Sequence, residues 1–254
     1  RRLLAGICEA LGDTRSAALE HMDLVRIALD AQDAGQARTE ADQVVRLAGT
    51  HWDIYFDLAR ILEERQQSEE AVDRLRAGAQ TAFAQGETEY GLRLCGEALR
   101  ISPLSRPARE LRIEFLRREG RTQEAAAEFR VLAEQSREAD SEAAVLYYQS
   151  LLDLEPDDIE ARRAMAELML SVGETEEALR EFSNVAERLT AAGDSAAAIE
   201  AASRALEVEP GLDEMRLRRA RLLLSTGDSQ GAAADFSALA NAAIAREDWE
   251  AAEK

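Results

Sequence analysis

Several things are scarce in this chain, and each shortage excludes something. Aromatic residues make up 5% of the 254 residues, too few for a β-sandwich, whose strands draw on aromatic and β-branched side chains. Proline occurs 4 times and histidine and cysteine 2 times each. The cysteines, Cys8 and Cys95, are far apart and form no CxxC pair, so neither a disulfide framework nor a cysteine-ligated zinc site is expected. No run of about 18 apolar residues is free of charge, which excludes a membrane-spanning helix. Positive charge is short: 31 Lys+Arg against 50 Asp+Glu leaves a net charge of −19, and a nucleic acid is a poor partner for such a surface. Lys254 is the sole lysine. The arginine excess reads as a GC-rich coding sequence, not as thirty chosen sites. Hydrophobic residues at 46% are spread along the whole chain, enough to bury a core. A soluble, alanine-rich helical protein, cytoplasmic in location, fits these counts. The opening Arg1 and the alanine-rich pattern at Lys254 read as a piece of a longer protein.

Internal repetition is plain. Pro103, Pro156 and Pro210 each close a similar hexapeptide, at spacings of 53 and 54. Gly12, Gln66, Gly120, Gly173 and Gly227 form a second series at 54, 54, 53 and 54. Five residues after each marker stands alanine (Ala17, Ala71, Ala125, Ala178, Ala232), and four further on a large side chain (His21, Leu75, Phe129, Phe182, Phe236). The chain therefore divides into units of about 1–50, 51–104, 105–157, 158–211 and a truncated 212–254, within a single repeat domain.

Each unit reads as three helices. In the fourth, the pattern predicts helices over Ile159–Val172, Thr175–Ala192 and Ser195–Val208. Gly173 and Gly193-Asp194 are the breaks, and Pro210 forbids continuation. Ala178, Phe182, Val185 and Leu189 make one stripe of the second helix; Ala198, Ala202, Ala205 and Leu206 face inward on the third.

These residues carry a family resemblance. Gly193-Asp194 followed by Ala198, Ala202, Ala205 and Pro210 resembles the second half of a tetratricopeptide repeat. So do Gly227-Asp228 with Ala232 and Phe236, and Gly173 with Ala178 and Phe182. Small residues where helices cross permit close approach, and a phenylalanine fills the neighbouring gap. The resemblance implies an all-α, TPR-like α-solenoid, a right-handed superhelix of about fourteen antiparallel helices. Two departures stand out. The family's first-helix Trp and Tyr are mostly missing, and turn spacing alternates between 20 and 34, giving three helices per unit. Such units stack either as continuous hairpins or as three-helix layers; the similarity of all three turns favours hairpins.

Catalytic patterns are absent: no Gly-rich phosphate loop, HExxH or GxSxG occurs. His21 occupies the slot that holds Leu or Phe in other units and reads as structural; His51 reads as an exposed turn residue. Glu174, Glu176 and Glu177 suit the first turn of a helix. The expected function is non-enzymatic and cofactor-free. It is a protein-binding scaffold with a concave groove, of the kind similar repeats provide in bacterial machinery. The alternatives are self-association through the solenoid ends, giving a homo-oligomer, and service as the regulatory arm of a larger protein.

Two groups are candidates for partner binding. Arg109, Arg162 and Arg216 share one register in successive first helices, with Arg112 and Arg219 nearby. The resemblance implies that such residues line a groove and clamp an acidic segment or a C-terminal carboxylate. The competing reading is salt bridges to the surplus glutamates, and it is the favoured one. Trp52, Tyr55 and Phe56 share a helix face and are either a hot spot or core where the early turn is irregular, the Gly35-to-Gly86 spacing being 51. Core is favoured. Of Tyr147-Tyr148, one is expected in the core and the other on the surface or in a groove.

Overall fold

The computed structural model describes residues 1–245; residues 246–254, the end of the fifth unit, lie outside the described part. Fourteen helices and no strand occur among the described residues: α1 (Arg2–Ala10), α2 (Thr14–Asp30), α3 (Ala34–Ala48), α4 (Trp52–Glu64), α5 (Ser68–Gln85), α6 (Thr88–Ile101), α7 (Arg106–Arg118), α8 (Thr122–Ser136), α9 (Ser141–Leu154), α10 (Ile159–Ser171), α11 (Thr175–Ala191), α12 (Ser195–Val208), α13 (Asp213–Thr226) and α14 (Ser229–Ala245). The chain forms two compact units, Arg1–Glu128 and Phe129–Lys254.

The turns explain the period. Gly12, Gln66, Gly120, Gly173 and Gly227 all take positive φ, from +61° to +90°, so each marker is the left-handed residue that stops a first helix. The second series is Gln32, Gly86 and Gly193, at +57°, +77° and +81°. This corrects the expected irregularity near residue 50. Gly35 lies inside α3; the partner of Gly86 is Gln32, and 86 − 32 = 54 restores the repeat. Glutamine in the left-handed region hid the marker. Aspartates complete the turns: Asp13, Asp33, Asp140, Asp158 and Asp194 each accept a backbone N–H three residues on, at 2.9–3.0 Å. Glu176 and Glu177 sit in the first turn of α11, as expected from the helix dipole.

The alanines that follow the markers are all fully buried, and of the large residues four positions later only Phe236 is partly exposed. They set helix crossings close: no Cβ fits at Gly91 without striking the Phe115 ring. Tyr147 and Tyr148 are both buried, contrary to the expected split, because α9 is covered on two adjoining faces. Burial pushes the Cys95 thiol up to about 12, so it behaves as a small apolar side chain.

Within Arg1–Glu128, each of α2 to α5 packs on the next helix and on the next but one. That is continuous hairpin stacking. Ion pairs run along both rows: Arg2 with Glu40 and Arg46 with Glu9 join α1 and α3, Arg15 with Asp53 joins α2 and α4, and Arg38 with Glu70 joins α3 and α5. Within Phe129–Lys254, α9 to α14 pack as successive neighbours, and Arg204 with Glu167 ties α12 to α10.

Candidate functional site

The arginine register has a structural cause. Arg109 is buried, ion-pairs with Glu128 and donates to the Pro103 carbonyl at 2.7 Å. Arg162 pairs with Glu181 at 2.7 Å and donates to the Pro156 carbonyl at 3.0 Å. Arg216 donates to the Pro210 carbonyl at 2.6 Å and lies 3.6 Å from Asp235. In each unit the acceptor carbonyl is six residues back and the carboxylate nineteen residues on. The first helix is thus fastened both to the turn that precedes it and to the helix that follows. Arg1 with Glu20 repeats the nineteen-residue pair at 2.8 Å. Tyr55 fills the same place in the second unit; its hydroxyl donates to the Gly49 carbonyl, again six residues back, at 3.3 Å.

Arg109, Arg162 and Arg216 therefore face the seam between helices, and the register is a fastening of the repeat. Arg219 is likewise engaged: it grips the buried Asp235 through both oxygens, at 2.6 and 2.8 Å, and donates to Ser203. The hydrogen bonds it donates to Asp235 hold this guanidinium above its usual range. Arg112 is one-third exposed, with its Nε 3.2 Å from Glu128.

Tyr55 is core; a Cβ at Gly78 would fall 2.7 Å from its ring. Trp52 is also buried, stacked between Tyr55 and Tyr90 at 6.1 and 5.6 Å. Phe56 is half-buried and carries Arg93 over its ring at 5.4 Å. His51 is half-exposed at the start of α4, beside Trp52 in a shallow hollow. His21 is buried, with Nδ1 2.6 Å from Glu40.

A groove of about 670 Å³ lies within Phe129–Lys254. Its floor is Ala161, Ala164, Ala201 and Phe182. Small side chains on α10 and α12 leave the trough open, and Phe182 closes it from beneath. The walls carry Arg163 and Glu167 from α10, Glu200, Arg204 and Glu207 from α12, and Arg130, Glu134, Arg137 and Tyr148 from α8, the turn after it and α9. Arg163 is loosely held, 3.3 Å from Glu160 and 3.5 Å from Glu200. Arg204 bonds both oxygens of Glu167, at 2.8 and 2.9 Å. Tyr148 donates to Glu134, and burial first, then this bond, raises its phenol above the usual range. The arginines of the groove, Arg130, Arg137, Arg163 and Arg204, lie outside the register. Arg163 and Glu167, like Glu200, Arg204 and Glu207, share a helix face at i, i+3 and i+4, which is the signal that marks this wall.

No group of three or more His, Cys, Asp or Glu is placed to hold a metal ion among the described residues. Nor is any described helix long and apolar enough to cross a membrane.

Residues 22–80 and 186–247 match the tetratricopeptide repeat family model. Two stretches of the chain thus match tetratricopeptide repeats. The first match covers Ala71 with the turns at Gln32 and Gln66, and the second Ala232 with the turns at Gly193 and Gly227. Tetratricopeptide repeats support protein–protein interaction, and the family is generally non-enzymatic. No curated protein matches the chain. Among solved structures, it is similar to BtubC from P. vanneervenii, at 16% identity over 80% of this chain and 92% of that one, with a TM-score of 0.40. It is similar to a tetratricopeptide repeat protein from Parabacteroides merdae, at 17% identity over 93% and 99% with a TM-score of 0.30. It is also similar to YrrB, a TPR protein with an unusual peptide-binding site, at 17% over 76% and 94% with a TM-score of 0.26.

Proposed function

We propose that this tetratricopeptide protein is a non-enzymatic scaffold and that the groove between α10 and α12 receives a segment of a partner protein. The observation that carries the reading is the groove itself: an alanine floor over Phe182 with the exposed, loosely paired Arg163 on its wall. A flat floor of small side chains admits a peptide backbone. Arg163 has donors to spare, because guanidinium offers five and its two carboxylate contacts are long. An acidic side chain on the partner completes that coordination, with Arg204 as the second anchor.

Labelled twelve-residue peptides of acidic, basic and neutral composition, titrated against the full chain, test this. The acidic set binds, and its affinity falls several-fold between about 50 and about 200 mM salt. The double change R163E/R204E weakens it by about tenfold or more, and R163E alone weakens it with the thermal midpoint nearly unchanged, since the contacts of Arg163 are long. Equal binding of all three sets, or acidic binding indifferent to R163E/R204E, refutes the reading.

A further inference from the structure

One arginine of the second repeat unit stands apart from the rest. Arg60, Arg65, Arg74, Arg76 and Arg100 each hold a carboxylate at 2.5–3.0 Å. Arg93 of α6 holds none among the described residues. Glu89 and Glu97 stand one turn away on either side, at the spacing that favours ion pairs. The guanidinium turns from both and lies over two rings, 5.4 Å from the centre of Phe56 and 5.8 Å from that of Tyr90. Glu97 is spent on Arg100, at 2.9 Å. Resting on ring faces steadies a guanidinium and uses none of its five N–H donors for hydrogen bonds.

The repeat shows what Arg93 lacks. Arg163 and Glu200 stand 107 residues on from Phe56 and Arg93, two repeats in each case. In the fourth unit those two positions form an arginine–carboxylate contact between α10 and α12, at 3.5 Å. In the second unit the arginine stands on the third helix, and a ring faces it where the fourth unit has an ionic partner. Beside Arg93 lies a hollow of about 430 Å³ between α4 and α6, lined by Trp52, Phe56 and Tyr90 among others. Trp52 is buried, Phe56 half-buried and Tyr90 36% exposed. The acids of the hollow are already engaged. Asp53 bonds Arg15 through both oxygens, at 2.6 and 3.2 Å, and Asp57 bonds Arg60 at 2.8 Å. Each of those pairs is neutral, so Arg93 is the cation left over beside the rings.

We infer that the hollow between α4 and α6 is an anchor site for one acidic side chain of a partner protein, flanked by an apolar residue. The carboxylate takes the free donors of Arg93, and the apolar neighbour covers the exposed part of Tyr90. Both parts are needed. A carboxylate alone gains little from a solvated arginine, and an apolar group alone leaves the guanidinium unpaired while excluding its water. The site is separate from the groove between α10 and α12 and does not rest on the reading of that groove.

Trp52 supplies a local reporter. The chain has two tryptophans, and with Trp249→Phe the emission comes from Trp52 alone. The probes are capped twelve-residue peptides of glycine and serine with a central leucine–glutamate–leucine, titrated against the full chain carrying Trp249→Phe. The glutamate peptide shifts the Trp52 emission and binds about tenfold more tightly than the same peptide with glutamine. A peptide that keeps glutamate but has serine for both leucines binds several-fold more weakly. Arg93→Gln brings the glutamate peptide down to the level of the glutamine one; the side chain is exposed and rests only on the two rings, so the fold is kept, as circular dichroism checks. Arg163→Glu, in the other groove, leaves the response as it was. No change in emission at millimolar glutamate peptide overturns the inference. So does equal binding of the glutamate and glutamine peptides, equal binding with and without the leucines, or binding that survives Arg93→Gln. A response lost with Arg163→Glu assigns the peptide to the groove between α10 and α12 and overturns the inference too.

Discussion

Arg109→Ala destabilises the protein by about 3–5 kcal/mol in urea denaturation. The guanidinium is 9% exposed and Glu128 is nearly as sheltered, so removing the cation leaves a carboxylate in a poorly solvated seam. Arg112, at 3.2 Å from Glu128, offsets only part of that loss because it is itself partly solvated. The Pro103 carbonyl also loses a donor, which loosens the entry to α7. A second variant separates charge from shape. Arg109→Met with Glu128→Leu removes both charges and keeps apolar volume, and it recovers most of the stability. A loss below about 1 kcal/mol for Arg109→Ala would make this an ordinary surface pair.

Phe182→Ala costs a comparable amount, about 3–5 kcal/mol. The ring is fully buried beside Ala178, Val185 and Ala186 of α11, and it closes the floor of the groove. Its truncation leaves a cavity between helices whose approach is already set by alanine, so the neighbours have little side chain with which to refill it. Phe182→Leu is milder, at about 1 kcal/mol, because Leu75 fills the same slot in the second unit without exposure. Chemical denaturation of the two variants checks both the size and the order of the effects.

Much of the fold was legible because its determinants are local and recur. Left-handed turn residues, small crossing residues and one large filler repeat at 53 or 54, and the structure places helices where that spacing put them. The period was missed where glutamine replaced glycine: Gln32 adopts positive φ without the side chain that announces it. The site was less legible. Repeat register fixes how far along a helix a residue lies, but the side it faces depends on a rotation of about 100° per residue. Arg162 and Arg163 are neighbours in sequence, yet one is fastened to Glu181 in the seam and the other lines the groove. The discriminating signal was present in the chain as the carboxylate nineteen residues on, at Glu128, Glu181 and Asp235. It is a tertiary pairing, and it carries meaning only once the packing of the first helix on the second is known. Tyr55 shows the same place filled by different chemistry, a hydroxyl reaching the carbonyl that arginine reaches elsewhere.

The claim that this register fastens the repeat, while its neighbours serve the groove, is tested most directly by paired thermal denaturation of Arg162→Met and Arg163→Met. Arg162→Met loses about 2 kcal/mol or more, since Glu181 is left without its partner and the Pro156 carbonyl without this donor. Arg163→Met changes stability by less than about 0.5 kcal/mol, since its contacts are long and solvated. Equal losses in the two variants, or the larger loss at Arg163, would contradict the account.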